Sequence, residues 1–318
     1  MNLSPFRRSL LRVAIVISFA SACMPLLADA QQIKPALTIQ EKLAELEASS
    51  DGRIGISAMN TANNQRIQYR AKERFPVGCT SKVIGVSAIL KKSMTDSSLL
   101  QQKVTYTKKD LTNWAPITEK HLVDGMTIAE LSAAAISYSD NTAMNLLVEK
   151  LGGLQAMNAF ARSTGDNVFR MDHGWPEEAE SGGSGNVYDS STPAAMEKTF
   201  QRIVLGNVLA TSQREQLVTW LKNNTTGDAR IRAGVPKSWI VGDKTGTGSS
   251  YGTTNDIGII WPSKCAPIVV AIYYTNNKKD AVKREDIIAS VTRSLISEFA
   301  HTDRCISMSI QSKKMSKV

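Results

Sequence analysis

The sequence has 318 residues, enough to bury a large hydrophobic core, and carries a formal net charge of +9. Removing the first 30 residues, with three arginines and one aspartate, and the three lysines of a polar tail leaves a charge of +4. So small an excess excludes the strongly basic surface of a nucleic-acid-binding protein. We therefore expect no nucleic acid among the partners.

The first 30 residues have the layout of a cleaved signal peptide. Three arginines between positions 7 and 12 precede an apolar run at 13–20, and small residues at 28 and 30 mark a cleavage site. The run is too short to span a bilayer as a stable helix. We expect export to the periplasm by the general secretory or the twin-arginine route. Cys23 allows an alternative hypothesis, in which the chain is cleaved before Cys23 and is anchored to a membrane by a lipid on that cysteine.

Hydrophobic periodicity divides the remaining chain into three parts. The first part has a helix and two strands, the second is mostly helical, and the third has three strands and a closing helix. In chain order the predicted elements are helix 38–49, strands 53–60 and 65–70, helices 80–92, 128–138, 142–151, 154–163, 193–205 and 212–222, strands 238–243, 254–261 and 267–274, and helix 280–299.

This order of elements predicts a mixed α/β (α+β) fold. The strands of both ends form one antiparallel five-stranded sheet flanked by terminal helices, and an all-helical domain is inserted between them. We place the α/β domain at 31–72 and 222–305, the all-helical domain at 73–221, and a flexible basic tail at 306–318. A ligand cleft is expected between the two domains.

Three short motifs lie at predicted element boundaries. The first is Cys79-Thr80-Ser81-Lys82, which opens an apolar helix; the second is Ser139-Asp140-Asn141, between two helices; the third is Lys244-Thr245-Gly246-Thr247, at the end of a strand. A cysteine at a helix N-terminus lies at the positive end of the helix dipole. Lys82, three residues on, shares its helix face. Both effects favour the thiolate form of Cys79.

The three motifs, in this order, resemble the signature of class A β-lactamases and penicillin-binding proteins, with cysteine in place of the nucleophilic serine. The resemblance to class A β-lactamases extends from about residue 38 to residue 299. The strings that carry it outside the motifs are Phe75-Pro76, Thr118 to His121, Asp124 to Thr127, Thr142-Ala143, Thr192 to Ala194, Gly227 to Arg230, Gly242-Asp243 and Asn255-Asp256.

The resemblance implies a function and a set of residue roles. A monomeric hydrolase would open a β-lactam ring without a metal ion or cofactor. Cys79 would attack the lactam carbonyl, Lys82 would help to deprotonate it, and Ser139 would pass a proton to the lactam nitrogen. The substrate would be held by Trp114 at the cleft mouth, by Asn141, and by the carboxylate-binding group Arg230, Lys244, Thr245, Gly246 and Thr247. The oxyanion hole would be formed by backbone amides of Cys79 and Thr247.

The long loop at 172–191 departs from the family pattern. Class A enzymes carry there a glutamate that activates the deacylating water, whereas this chain reads Trp175-Pro176-Glu177-Glu178. Counting back from Asp189 puts Pro176 in the place of the glutamate. A shift of one residue within the loop puts Trp175 there instead. Neither can act as a base, so Glu177 and Glu178 are the candidate replacements.

Three functions follow from these departures. The first is a β-lactam hydrolase that turns over through a thioester, and the second is a covalent β-lactam-binding protein with little deacylation. The third is a cysteine hydrolase or redox protein, for which His121 would be the partner of Cys79. The other two cysteines of the mature chain, Cys265 and Cys305, are candidates for a disulfide that the sequence does not decide.

Overall fold

The computed structural model describes residues 37–177 and 186–311. The predicted leader with Cys23, the candidate acid Glu178 and the last seven residues of the predicted tail lie outside this range.

The observed elements follow the predicted order. The helices of the described residues are α1 (Ile39–Ala48), α2 (Lys82–Ser93), α3 (Ile128–Ser137), α4 (Asn141–Leu151), α5 (Leu154–Ser163), α6 (Pro193–Val204), α7 (Thr211–Lys222), α8 (Glu285–Thr302) and α9 (Arg304–Gln311). The strands are β1 (Gly52–Asn60), β2 (Arg66–Tyr69), β3 (Phe75–Pro76), β4 (Lys103–Val104), β5 (Met126–Thr127), β6 (Ser190–Ser191), β7 (Ile240–Thr247), β8 (Thr254–Trp261) and β9 (Ile268–Asn276).

The main sheet has five strands in the order β2-β1-β9-β8-β7, and every neighbouring pair is antiparallel. This confirms the predicted fold class. Side chains of a strand alternate between the faces of its sheet, and β9 shows the consequence: Val269, Ala271 and Tyr273 join one hydrophobic core, whereas Val270 and Ile272 join the other. The sheet therefore separates two cores, and both of its faces are covered.

Different helices cover the two faces of the sheet. Helices α1 and α8 pack on one face, and α9 packs against α8. On the other face, α6 contacts β1 and β9, and α7 contacts β7. Helix α2 lies inside the helical part, where it contacts α3, α4, α5 and α7 and is buried from Lys82 to Leu90. The 3-10 helix Gly78–Ser81 that leads into α2 contacts β7, which brings the first and third motifs together. The predicted domain boundaries stay a prediction.

The C-terminal end of the fold differs from the prediction. The closing helix α8 begins at Glu285 rather than 280, and α9 covers the first part of the predicted flexible tail. Helix α9 thus extends into the predicted tail as far as Gln311, and the tail boundary, like the other domain boundaries, stays a prediction. A disulfide between Cys265 and Cys305 ties α9 to the loop between β8 and β9, and Ile306 is fully buried. This helix has only eight residues, which is too short for its apolar periodicity to identify it in the sequence.

No helix of the described residues is long and apolar enough to cross a membrane.

The disulfide links residues that are 40 positions apart. Replacing both cysteines by serine (C265S/C305S) is expected to lower the free energy of unfolding by about 2–4 kcal/mol, because the unfolded chain regains the freedom that the cross-link removes. Denaturant unfolding followed by circular dichroism measures the change. The reduced parent chain is the matched control, because it lacks the same cross-link while keeping both cysteine side chains. Equal stability of C265S/C305S and the parent chain would contradict the assignment.

Candidate active site

The nucleophile motif lies where strand β7 passes close to the start of α2. A 3-10 helix, Gly78–Ser81, leads into α2 and carries Cys79, which is half-buried. Gly78 has φ +53°, a left-handed conformation that favours glycine. At Gly246 a Cβ atom would lie 2.8 Å from the carbonyl oxygen of Val77. Gly246, predicted to bind substrate, therefore allows β7 to approach the nucleophile.

Lys82 is buried and joins the first motif to the second. Its ammonium donates hydrogen bonds to the carbonyl oxygen of Ser139 at 2.7 Å and to Oδ1 of Asn141 at 2.5 Å. The thiol of Cys79 lies 3.9 Å from the same amide oxygen. Lys82 and Asn141 thus form, with Cys79, one connected group at the N-termini of α2 and α4.

The loop that carries Ser139 and Asn141 is held in place by Asp140. This buried carboxylate caps α4 by accepting from the amide of Ala143 at 2.8 Å. It also accepts from the amides of Ile117 and Thr118 at 3.0 and 2.9 Å. Ser139 itself has φ +57°, which is uncommon for a residue with a side chain. Asp140 therefore positions the loop and does not reach the cavity.

Lys244 joins the third motif to the second. From strand β7 its ammonium donates to Oγ of Ser139 at 2.9 Å and to the carbonyl oxygen of Thr245 at 3.0 Å. The side chain is fully buried. Two lysines from different parts of the fold thus converge on Ser139, one on its backbone and one on its hydroxyl.

Arg230 brings a third cation to the end of β7. Its buried guanidinium donates to the carbonyl oxygens of Gly246 at 2.9 Å and Asn255 at 2.7 Å, and to Oγ1 of Thr247 at 2.6 Å. It also lies 3.3 Å from the carboxylate of Glu285. The guanidinium is therefore fixed beside the threonines of the third motif.

Burial and nearby charges shift the pKa values of two groups in this cluster. For Cys79, burial raises the pKa, but the positive charges of Lys82 and Lys244 outweigh it and lower the pKa to about 7. For Lys244, burial lowers the pKa to about 7, although the negative charge of the Cys79 thiolate opposes this. The two buried lysines therefore favour the thiolate form of Cys79.

A cavity of about 430 Å³ opens in front of this cluster. It is lined by seven of the predicted residues, namely Cys79, Trp114, Ser139, Asn141, Arg230, Thr245 and Thr247. Pro176, one of the two residues that the sequence placed at the position of the family's glutamate, also lines the cavity. The lining residues outside the predicted site are Asn113, Thr226, Gly248, Ser249, Lys283 and Glu285. Trp114 is half exposed at the edge, where its indole donates to the carbonyl oxygen of Tyr138 at 3.0 Å. Across the described ranges, no three His, Cys, Asp or Glu residues form a metal-binding group.

The long loop places an aromatic ring next to Lys82. Trp175 is buried, and its ring centroid lies 5.6 Å from the Lys82 ammonium. The side chain of Asn145 fixes its backbone, donating to the Trp175 carbonyl at 2.6 Å and accepting from its amide at 3.1 Å. Asn145 is four residues after Asn141 on α4, and this helical spacing is the signal that could have identified it.

Of the two predicted loop acids, the structure describes only Glu177. Glu177 is exposed and is not among the residues that line the cavity. The prediction of Glu177 as a catalytic acid therefore has no support from the geometry. Among the described residues, Glu285 is the only carboxylate that lines the cavity, and it pairs with Arg230 and Lys283.

His173 joins the start of the long loop to its end. Its Nδ1 lies 2.6 Å from Oδ2 of the buried Asp189. This hydrogen bond raises the pKa of His173. Asp189 also accepts from the backbone amides of Asp172 and His173. His173 is thus the residue that pairs with the aspartate closing the loop.

Comparison with known proteins finds one family over most of the chain. A family model described as "Beta-lactamase enzyme family" matches residues 38–299. A β-lactamase of Proteus vulgaris is 49% identical over 267 residues, which cover 84% of this chain and 98% of that protein. β-Lactamase Toho-1 of Escherichia coli is 48% identical over 293 residues, which cover 92% of this chain and 98% of that protein. A solved β-lactamase from Desulfarculus baarsii matches with a TM-score of 0.81 at 43% identity, covering 83% of this chain and 99% of that one.

The position of Lys82 predicts how the Cys79 thiol titrates. Lys82→Met removes the nearby charge while keeping most of the side-chain volume, so the pKa of Cys79 should rise from about 7 to or above the value of about 8.5 for an ordinary cysteine. The pH dependence of the rate of Cys79 alkylation by iodoacetamide measures this pKa. Lys92→Met, in the exposed last turn of α2, is the control. If the inflection point of the alkylation pH profile is the same in Lys82→Met as in the parent chain, Lys82 does not stabilise the thiolate.

Proposed function

The chain belongs to the class A β-lactamase family, a family of hydrolases, and from that membership we propose that it opens β-lactam rings by forming a thioester on Cys79. The observation that carries the proposal is the half-buried thiol, which lines the cavity and whose pKa two buried ammonium groups lower to about 7. A nucleophilic thiolate needs less base assistance than a serine hydroxyl.

Acylation uses the residues around Ser139. The Cys79 thiolate attacks the lactam carbonyl carbon, and the carbonyl oxygen takes up negative charge that backbone amides of Cys79 and Thr247 stabilise. The bond between carbonyl carbon and nitrogen then breaks. The nitrogen takes a proton from the Ser139 hydroxyl, which is replenished by the Lys244 ammonium 2.9 Å away. The thioester is left on Cys79 with the ring open.

Substrate binding uses the end of β7 and the cavity rim. Arg230 and Thr247, joined by a 2.6 Å hydrogen bond, offer charge-assisted donors to a substrate carboxylate. Thr245 and Thr226, whose hydroxyls are 2.6 Å apart, lie on the same wall. Asn141 and Trp114 also line the cavity and would contact the acyl side chain.

A second candidate function is a long-lived acyl-thioester with slow hydrolysis, and Trp175 favours it. The indole ring lies beside Lys82, where the family's glutamate would be placed if the loop's extra residue follows Trp175. An indole cannot accept a proton from water. We therefore propose that Trp175 occupies the position of the deacylating base, and that acylation outpaces hydrolysis.

The third function, a cysteine hydrolase or redox protein relying on a histidine, has no geometric support. The residues lining the cavity include no histidine, and His121 lies outside that lining. Periplasmic location and a monomeric state stay predictions from the sequence.

A time course of intact-protein mass spectra with benzylpenicillin tests the proposal. The parent chain should gain one penicilloyl group, Cys79→Ala none, and the parent adduct should persist. Trp175→Glu places a carboxylate near Lys82 and should shorten the adduct lifetime on the order of a hundredfold, as a positioned general base does.

Trp175→Gln is the matched control, since it removes the ring without adding a base, and thermal unfolding checks that both variants are folded. No adduct on the parent chain would reject acylation. Equal lifetimes for the Glu and Gln variants would reject the assignment of Trp175 to the base position.

A further inference from the structure

The part of the chain after residue 299 has no role in the proposed function. The match to the family model ends at residue 299, yet the chain continues into α9, which the disulfide to Cys265 and the buried Ile306 hold against the fold. Helix α8 has 18 residues and is therefore about 27 Å long. Its first residue, Glu285, lines the cavity, whereas α9 follows its last residue. A surface on α9 is thus separate from the active site.

Helix α9 exposes apolar side chains beyond its anchor. Met308 is 56% exposed and Ile310 is 37% exposed, although Ile306 of the same helix is fully buried. The sequence adds two apolar residues after the helix, Met315 and Val318. A single exposed apolar side chain is common on protein surfaces, whereas several close together mark a surface for interaction. The end of α9 therefore provides such a surface.

Basic residues accompany these apolar side chains. Lys264 and Arg304 are exposed, and each precedes one cysteine of the disulfide, so the cross-link brings both to the start of α9. The residues that follow α9 contain no acid and three lysines, Lys313, Lys314 and Lys317. Clusters of about four to eight basic residues on or beside an amphipathic helix are typical of segments that bind anionic lipid headgroups. The two exposed residues and the three lysines reach this range.

A groove between α8 and α9 extends the positive charge. It has a volume of about 380 Å³, and its lining includes Arg293 and His301 of α8 and Ile310 of α9. The lysines that follow α9 are unsuited to fill it, because they would be brought next to the guanidinium of Arg293. The occupant that suits both the groove and the lysines is therefore an anion with an apolar part.

From these observations we propose that α9 and the basic residues around it bind the surface of a membrane that contains anionic phospholipids. The lysines and arginines contact the phosphates, while Met308 and Ile310 enter the boundary between headgroups and acyl chains. The disulfide couples the two events to the enzyme, because it fixes α9 to the fold. The chain then lies on the membrane, with the cavity at the other end of α8 open to substrate.

Sedimentation with unilamellar vesicles tests the proposal. The protein is purified after export, with its disulfide formed, and carries Cys23→Ala to exclude a lipid on that cysteine. It should bind vesicles made of equal parts phosphatidylglycerol and phosphatidylcholine, and it should not bind vesicles of phosphatidylcholine alone. Added salt should weaken the binding, because it screens the charges. Protein that stays in the supernatant with both kinds of vesicle at low salt would overturn the proposal.

Replacing the lysines that follow α9 tests their contribution. The variant carries glutamine at all three positions, K313Q/K314Q/K317Q. Its affinity for the anionic vesicles should fall on the order of a hundredfold, as expected for three charges lost at such a surface. The matched control makes the same change at three exposed lysines of the helical part, K108Q/K109Q/K150Q. It should bind as the parent does, and equal weakening in both variants would show that net charge alone drives the binding.

Replacing Met308 and Ile310 by glutamine tests the apolar contribution. The affinity for anionic vesicles should fall about tenfold, thermal unfolding checks that the variant is folded, and unchanged affinity would contradict the apolar contact. Light scattering without vesicles tests a second copy of this chain as the occupant. A dimer that this variant dissociates, with no vesicle binding by the parent, would overturn the membrane proposal. Cys79→Ala should bind vesicles as the parent does, so the result is independent of the proposed function.

Discussion

The hydrogen bond from the Lys244 ammonium to the Ser139 hydroxyl is the contact on which the active site depends. It crosses from the sheet to the helical part of the fold, and its length of 2.9 Å requires β7 to run close to the loop between α3 and α4, beside the start of α2. Gly78 and Gly246 permit this approach, because a side chain on Gly246 would collide with the carbonyl of Val77. Asp140, by capping α4, holds the other end of the contact in place.

The same contact determines the charge of the cavity. Bringing Lys244 to Ser139 buries an ammonium within reach of Lys82, and each ammonium disfavours the other unless a negative charge lies nearby. Cys79 supplies that charge at a lower pH than an ordinary thiol does, since its pKa falls to about 7. A serine hydroxyl would not ionise there. The cysteine therefore changes the resting state of the cavity as well as the chemistry of attack.

The long loop at 172–191 also differs from the family pattern next to Lys82. Trp175 brings an apolar ring to a place next to Lys82, and Asn145 holds its backbone with two hydrogen bonds. In the proposed mechanism the groups needed for acylation, from Cys79 to Lys244, are all present in the cavity cluster. Among the described residues the position next to Lys82 holds a ring and no acid, and the proposal therefore separates formation of the acyl-enzyme from its hydrolysis.

Periodicity and motif order were sufficient to predict the five-stranded sheet, its flanking helices and the convergence of three motifs, because these depend on burial along regular elements. The register of the long loop could not be predicted, because spacing alone left both Trp175 and Pro176 at the place of the glutamate. Only the contact with Lys82 favours one of them. The helix at 304–311 was missed because eight residues are too few for its periodicity to be recognised; in the structure a disulfide and one buried isoleucine anchor it.

Stopped-flow hydrolysis of a chromogenic cephalosporin tests the central claim most directly, because it resolves acylation from the steps that follow. The account predicts a burst of ring opening equal to one molecule per Cys79, followed by a much slower steady rate. A linear time course at a high rate, with no burst, would show that hydrolysis of the thioester keeps pace with acylation. That result would contradict the division of the site into an intact acylating half and an impaired hydrolytic half.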